Sequence, residues 1–272
     1  MPFFKYFPDI YYRVDPEMER KILKDLTVSF KFFDVFDNGF DQMYVDYLVK
    51  DGEKAEHIAY RVYGDSELHW IVLMFNKIKD PYFEWPLTNQ EFQAFVQKKY
   101  QGVSLFMDPE TTFLKSNLTS PVLEARLSIE VGLEVTQGST KGTIVEWDST
   151  LRCIRVGNIS GGVFAKSGEK IKITNGNESY YATISRVVED STVAAHHFED
   201  LEGNTVNPYN IVSNKLQPDS YIVRYTNNSY DGLEVITNRE YEDRKNEAKR
   251  LIKIPRKEII PQIVDSFSKL FK

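Results

Sequence analysis

The stretch from residue 44 to residue 88 limits most strongly what this chain can fold into. Residues 44–49 are rich in β-branched and aromatic side chains, which is typical of a strand, and the pair Asp51-Gly52 marks a turn directly after them. Within residues 55–63 the apolar side chains then recur every three or four positions. That spacing places them on one face of a short helix, so the sequence predicts a strand, a turn and a helix in this order.

A second helix is predicted to follow the first directly. Gly64 suits the left-handed backbone conformation that ends a helix, and Asp65 or Ser66 suits the cap of the next one, because each accepts hydrogen bonds from free backbone N–H groups. Residues 68–75 are apolar on almost every side, which favours burial on more than one face. Asn76 is predicted to close this second helix.

The chain is then expected to return through Trp85-Pro86-Leu87, which completes a βααβ unit in a domain over residues 44–100. Apolar side chains at strand or helix spacing are expected to form one core, with glycines and polar residues at the turns between them. These predicted core and turn residues are Val49, Gly52, Ile58, Ala59, Val62, Tyr63, Gly64, Leu68, Trp70, Ile71, Val72, Asn76 and Pro81.

The order of these residues resembles the lysin motif (LysM), which is a small βααβ module. Residues 51–60, Asp-Gly-Glu-Lys-Ala-Glu-His-Ile-Ala-Tyr, are more narrowly similar to the version in baseplate wedge proteins of contractile-tailed bacteriophages. Shorter segments agree with that family in their order along the chain. They are Phe4-x-x-Phe7-Pro8, Asp25-Leu26-Thr27 through Phe30, residues 195–200 with Gly203-Asn204 after them, residues 246–250 and residues 259–264.

The resemblance implies a structural subunit of a tail baseplate wedge and not an enzyme. Such a subunit joins neighbouring wedges around the central hub, and it contacts other wedge proteins and hub or tube-proximal tail proteins. The resemblance further implies several copies in each virion, located in the tail baseplate after assembly in the host cytoplasm. It implies no cofactor.

Two other functions compete with a wedge subunit. In the first, the LysM-like domain binds the N-acetylglucosamine chains of peptidoglycan as part of a tail or cell-wall-associated protein. Sugar-binding copies of this module usually occur in secreted proteins and are often repeated, whereas this chain has one copy. The second, a muralytic hydrolase of the tail, needs a pair of carboxylates in a pocket, and the sequence does not display such a pair.

Residues 1–43 are predicted to form an arm and not a domain. Six aromatic residues lie within the first twelve positions, and two prolines interrupt them, so that neither a helix nor a long strand organises this run. Either the arm packs on its own domain or it contacts a partner, since aromatic side chains are favoured anchors in interfaces. The predicted partner contacts are Phe3, Phe4, Tyr6, Phe7 and Tyr11.

Between residues 129 and 190 the pattern changes to short β-branched strands that alternate with glycine-rich turns. This pattern predicts an inserted antiparallel β-barrel or sandwich module. Residues 101–128 before it are predicted to be a linker, and residues 191–237 after it an irregular connecting segment. The expected fold class is therefore α+β and multi-domain, with helical or extended arms at both ends.

A faint internal repeat lies within the predicted β module. Residues 132–135, followed by residues 143–144, match residues 168–171, followed by residues 183–184. The spacing between the two parts differs by four residues in the two copies, which favours a two-lobed barrel over a tandem array.

Residues 238–272 are predicted to form a C-terminal amphipathic helical arm. Pro261 suits the start of a helix, and apolar side chains follow it at helical spacing. Such a helix either docks on its own protein or lies in the groove of a partner. The predicted stripe of partner contacts is Ile263, Val264, Phe267, Leu270 and Phe271.

Composition excludes several other classes of protein. The net charge of −6, from 34 Lys and Arg against 40 Asp and Glu, argues against a general nucleic-acid binder. A single cysteine, Cys153, excludes a disulfide framework and a cluster of thiolate metal ligands. No apolar run approaches the roughly 18 residues of a membrane-spanning helix, and the first residues do not have the pattern of a secretory signal. We therefore expect a protein of a reducing compartment without a membrane partner.

No catalytic, cofactor or metal site is predicted. The sequence has no Gly-x-Ser-x-Gly elbow and no His-Glu-x-x-His motif, and residues 138–142, which superficially resemble a phosphate loop, are predicted to be a hairpin turn. Cys153 is expected to be a buried structural thiol. The pair His196-His197 is not expected to ligate a metal, because adjacent side chains of an extended segment point to opposite sides.

Overall fold

A computed structural model describes residues 9–12, 21–24, 43–107, 114–115, 129–165, 168–176, 178–206, 229–230 and 233–269. The chain divides into two compact units, of which the first comprises residues 1–92 and 244–272 and the second residues 93–243. Helices lie mainly in the first unit and antiparallel strands mainly in the second, so the α+β class is confirmed.

The elements are numbered separately for strands and helices in chain order. The strands are β1 (Asp9–Tyr12), β2 (Lys21–Lys24), β3 (Tyr44–Leu48), β4 (Val103–Met107), β5 (Leu114–Lys115), β6 (Glu134–Gln137), β7 (Thr140–Asp148), β8 (Cys153–Ser160), β9 (Lys170–Asn175), β10 (Glu178–Val188), β11 (Ala195–Asp200), β12 (Thr205–Val206), β13 (Ser229–Tyr230), β14 (Leu233–Thr237) and β15 (Leu251–Pro255). The helices are α1 (Ala55–Tyr63), α2 (His69–Phe75), α3 (Pro81–Glu84), α4 (Asn89–Lys99), α5 (Asn238–Arg250) and α6 (Ile260–Lys269). Among these residues, no helix is both long and apolar enough to cross a membrane.

The strand predicted at residues 44–49 is confirmed as β3, and its partner comes from the C-terminal part of the chain. β3 pairs antiparallel with β15, from Leu48 opposite Leu251 to Tyr44 opposite Pro255. A βααβ unit is therefore present only if β15 is counted as its second strand. In the chain, β15 follows the whole second unit and does not follow α2 directly.

The prediction that the chain returns as a strand through residues 85–87 is wrong. Leu87 donates its N–H to Oδ1 of Asn246 at 2.8 Å, and its carbonyl accepts a hydrogen bond from Nδ2 of Asn246 at 3.2 Å. Because one side-chain amide binds both backbone groups of Leu87, these groups are not available for a strand ladder.

The two predicted helices are confirmed, and their connection follows the sequence signals. α1 ends at Gly64, which has a left-handed φ of +83°. The carboxylate of Asp65 then accepts a hydrogen bond from the N–H of Glu67 and caps a 3₁₀ turn over Ser66–Leu68, which leads into α2. The short turn lets α2 pack directly against α1.

Helix α6 completes the core of the first unit. Ile263 and Phe267 are 1% and 0% exposed, and the ring of Phe267 lies 4.8 Å from that of Trp70, centroid to centroid. Val62 and Leu68 pack half-buried against this core. The buried side chains around them are Val49, Ala55, Ile58, Ala59, Tyr63, Trp70, Ile71, Val72, Phe75, Ile252, Ile254 and Ile260.

The strands of the second unit close into a six-stranded antiparallel barrel. The order is β4, β8, β7, β6, β9 and β10, and β10 pairs back to β4. The short strand β5 pairs with Tyr180 and Tyr181 of β10. Of the two predicted alternatives, the barrel is confirmed. Its interior is filled by Leu105, Met107, Ile129, Val135, Ile144, Ile154, Val156, Phe164, Ile171, Ile173, Ala182 and Ile184.

The internal repeat is confirmed by matching hydrogen bonds. Gly132 donates its N–H to the carbonyl of Ile144 at 2.8 Å, and Gly168 donates to the carbonyl of Ile184 at 2.7 Å. Each isoleucine in turn donates to the residue after the glycine, at 2.9 Å and 2.8 Å. The two halves of the barrel thus begin with the same local structure.

Three predicted boundaries differ from the structure. Residues 101–128 contain β4, which is a barrel strand and not linker, and residues 191–237 contain a four-stranded sheet of order β12, β11, β14, β13 where an irregular segment was expected. Residues 238–272 contribute β15 and α6 to the first unit and do not form a separate arm. Each of these boundaries depends on contacts between segments that are far apart in the chain, and local sequence patterns do not predict such contacts.

Candidate assembly surfaces

The predicted C-terminal contact stripe packs within its own chain. Ile263 and Phe267 are covered by the core of the first unit, and Val264 packs half-buried beside them. Leu270 and Phe271 lie outside the described residues. The expectation that Ile263 and Phe267 contact a partner is therefore corrected, since their apolar surface is already buried intramolecularly.

One of the predicted N-terminal contact residues lies in the described part of the chain. Tyr11 belongs to β1, opposite Ile22 of β2, and it is 64% exposed. Phe3, Phe4, Tyr6 and Phe7 lie outside the described residues. Tyr11 therefore presents an aromatic side chain on a two-stranded ribbon, and its contact with a partner remains a prediction.

Two adjacent aromatic side chains project from α3. Tyr82 is 88% exposed and Phe83 is 78% exposed. Large aromatic side chains that share one exposed site are typical of contact surfaces, where they act as anchors. Periodicity in the sequence does not reveal this pair, because a single helical turn is too short to show any, although Asp80-Pro81 carries the signal of a helix start.

Polar contacts fix α3 at both ends. The carboxylate of Asp80 caps its first turn, and one oxygen of Glu84 accepts hydrogen bonds from the N–H groups of Lys79 at 2.6 Å and Asp80 at 3.2 Å. These two bonds hold the pKa of Glu84 below its usual value, and the bond from Lys79 has the larger effect. Nζ of Lys249 donates to the carbonyl of Phe83 at 2.7 Å. The two exposed aromatic rings therefore stand on a fixed backbone.

Glu53 is a buried carboxylate of the first unit that could be mistaken for a catalytic group. It accepts hydrogen bonds from the hydroxyl of Tyr47 at 2.8 Å and the N–H of Lys50 at 3.1 Å, and it pairs with Arg61. Its own backbone carbonyl accepts a hydrogen bond from Nε1 of Trp85 at 2.9 Å. Because its charge is paired and its oxygens are hydrogen-bonded, the Glu53 side chain links β3 to α1. Its role is therefore structural.

The segment that resembles a phosphate loop and the single cysteine both have structural roles. Residues 138–142 form the turn between β6 and β7 and the start of β7, with Gly138 at a φ of +57°, which confirms a hairpin turn. Cys153 is buried as expected, and desolvation raises the pKa of its thiol, which keeps it protonated. Among the described residues, no three or more His, Cys, Asp or Glu side chains are arranged to hold a metal ion.

The histidine pair in β11 differs from its prediction. A bulge at this point brings the two rings together, with 2.8 Å between Nδ1 of His196 and Nδ1 of His197. The expectation that the side chains point to opposite sides is wrong, because a bulge breaks the alternation of a regular strand.

Comparison with known proteins finds similarity to baseplate wedge proteins. Residues 11–105 match the model of the family described as Base plate wedge protein 53. The baseplate wedge protein gp53 of Enterobacteria phage T4 is 41% identical over 59 residues, which are 21% of this chain and 29% of that relative. The match thus spans less than a third of the relative's length.

The family match includes the segment from β3 to α4 and most of β4. It therefore contains residues 51–60, which carried the resemblance in the sequence, and the α3 turn with its exposed aromatic pair. Over residues 11–105, the resemblance of this chain to the baseplate wedge proteins of contractile-tailed bacteriophages is confirmed.

Proposed function

We propose that the chain is a non-enzymatic structural subunit of a phage tail baseplate wedge. In this role it joins neighbouring wedges and contacts other wedge proteins and hub or tube-proximal tail proteins, in several copies per virion, after assembly in the host cytoplasm. The observation that carries the proposal is the match of residues 11–105 to a baseplate wedge family. The wedge protein of phage T4, which is similar over 59 residues, supports the same role.

The exposed aromatic pair of α3 is the contact site that we assign to this role in the first unit. Burial of Tyr82 and Phe83 against another chain contributes about 1.5–3 kcal/mol for each side chain before ordering costs. The backbone part of those ordering costs is small here, because the bonds of Asp80, Glu84 and Lys249 already fix the backbone of α3. Tyr11 offers a second exposed aromatic contact on the β1–β2 ribbon.

The proposal is tested by mixing the full chain with the other baseplate proteins of its phage and measuring co-sedimentation. We expect the wild-type chain to enter a larger complex, and the double variant Tyr82→Ser, Phe83→Ser to enter it much less. Tyr60→Ser is the matched control, because Tyr60 is an aromatic residue of α1 that is 67% exposed. A wild-type chain that never leaves the monomer fraction would contradict the proposed role.

Binding of peptidoglycan by the LysM-like unit was the alternative function, and no specific observation favours it. The family match to baseplate wedge proteins covers the residues on which the lysin-motif resemblance depends. In addition, the second strand of the βααβ order, β15, follows the second unit in the chain and does not follow α2. Purified peptidoglycan is therefore expected not to retain the chain.

A further inference from the structure

A bulge in β11 sets two neighbouring histidines side by side within the second unit. The register of β11 against β14 shifts between Ala195, opposite Thr237, and His197, opposite Ile236. Two residues of β11 therefore correspond to one step of β14, and His196 is the extra residue. As a result the two Nδ1 atoms face each other at 2.8 Å instead of lying on opposite sides of the sheet.

A carboxylate orients the second ring of this pair. Nε2 of His197 lies 3.0 Å from Oε1 of Glu199, and both side chains are 16% exposed. In the neutral ring, a proton on Nε2 that is donated to the carboxylate leaves Nδ1 as the atom with the lone pair. A histidine that donates its other N–H to a carboxylate is the usual arrangement of a metal ligand.

Tyr241 of α5 fixes the first ring. It stacks on His196 with 3.6 Å between the ring centroids and an interplanar angle of 19°, and it meets His197 edge-on at 5.7 Å. Packing against Tyr241 thus holds both imidazoles with their Nδ1 atoms at hydrogen-bond distance from each other.

We propose that His196 and His197 together bind a divalent transition-metal ion, with Zn²⁺ as the probe, through their two Nδ1 atoms. Tetrahedral coordination at about 2.0–2.1 Å places two nitrogen ligands about 3.3 Å apart, so the two Nδ1 atoms separate by about half an ångström. Each ring also turns, so that its Nδ1 lone pair points at the ion and no longer at the other ring. His196 then carries its proton on Nε2, and the metal replaces the hydrogen bond between the rings. Imidazole suits Zn²⁺, Cu²⁺ and Ni²⁺. Water fills the other coordination positions, which makes the site open.

The test is calorimetric titration of the full-length chain with Zn²⁺. We expect one equivalent to bind, and His196→Asn or His197→Asn to weaken this binding at least tenfold. Glu199→Gln is expected to weaken it by about 10–100-fold, because it removes the carboxylate that orients His197. The control Glu202→Gln changes the same charge in the following turn and is expected to leave the affinity unchanged.

A second measurement on the wild-type chain does not depend on the variants folding. The chain has four histidines, so the nitrogen-15 resonances of His57 and His69 serve as internal controls. Zn²⁺ is expected to shift the Nδ1 resonances of His196 and His197 and to leave the other two unchanged. The proposal is overturned if Zn²⁺ shifts neither member of the pair, or if binding persists in both histidine variants; the pair is then a hydrogen-bonded contact only.

Discussion

The side-chain amide of Asn76 binds the backbone of Lys253 in both directions. Its Nδ2 donates to the carbonyl of Lys253 and its Oδ1 accepts from the N–H of Lys253, each at 2.8 Å, while Nδ2 also donates to the carbonyl of Val72 at 2.8 Å. One edge of β15 pairs with β3, and the amide of Asn76 binds the opposite edge. There it makes the two backbone hydrogen bonds that a neighbouring strand would otherwise make. The side-chain amide of Asn246 binds the backbone N–H and carbonyl of Leu87 in the same way. Two asparagines therefore tie together segments that are far apart in the chain.

Replacement of Asn76 by Ala is expected to release the edge of β15. Loss of the paired hydrogen bonds should lower the free energy of unfolding of the first unit by about 1–3 kcal/mol. Hydrogen exchange at the amide of Lys253 measures this directly, because that N–H loses its acceptor. Gln90→Ala, on an exposed position of α4, is the control. Unchanged protection of Lys253 in Asn76→Ala would show that the contact does not hold the strand.

Helix α6 is expected to be required for the first unit to fold. Phe267→Ala removes a fully buried ring from beside Trp70 and should cost about 3–5 kcal/mol in thermal or denaturant unfolding. Lys269→Ala, which breaks only a surface pair with Asp265, should cost about 0–1 kcal/mol. If removal of residues 255–272 leaves the unfolding of the first unit unchanged, α6 is an independent arm after all.

The α3 turn is expected to loosen in acid. The pKa of Glu84 is lower in the folded chain than in the unfolded chain because its carboxylate accepts two backbone N–H bonds. Its contribution is therefore present above the ordinary glutamate pKa of about 4.3 and is lost as the pH falls through the lower, folded value. The protection of the amides of Lys79 and Asp80 against hydrogen exchange, taken relative to the intrinsic rate at each pH, should fall in that range. In Glu84→Gln the same amides should show no such step, and a step of equal size in that variant would refute the assignment.

The repeated glycines of the barrel are expected to respond alike to substitution. Gly132 and Gly168 have φ values of +99° and +95°, and a Cβ on either meets no atom within 4 Å. Alanine therefore fits the space but not the backbone conformation, which should cost about 1–2 kcal/mol at each site. Denaturant unfolding of the two single variants measures this. A clear cost at one site and none at the other would mean that the two halves are not equivalent.

Local signals in the sequence predicted the local structure correctly. The composition of residues 44–49 predicted β3, Gly64 predicted the end of α1, and Asp65 predicted the cap that follows. The repeat that begins at Gly132 and Gly168 also followed from sequence alone, since its hydrogen bonds are set within one hairpin-like segment.

The features that the sequence could not predict depend on contacts between distant segments. The partner of β3 is β15, which lies beyond the whole second unit, and no periodicity records such a pairing. The stripe of Ile263 and Phe267 predicts a buried helix face but not which chain buries it. The bulge at His196 depends on the register of β11 against β14, so the convergence of the two histidines has no local signal.

The claim that this chain is a wedge subunit is tested most directly by a cryo-electron microscopy map of assembled baseplates from the phage that carries it. We predict density for the first unit, recognisable by α1, α2 and the β3–β15 pair, in every wedge, with Tyr82 and Phe83 covered by another chain. Complete baseplates in which no wedge contains this unit would contradict the proposed role as a wedge subunit.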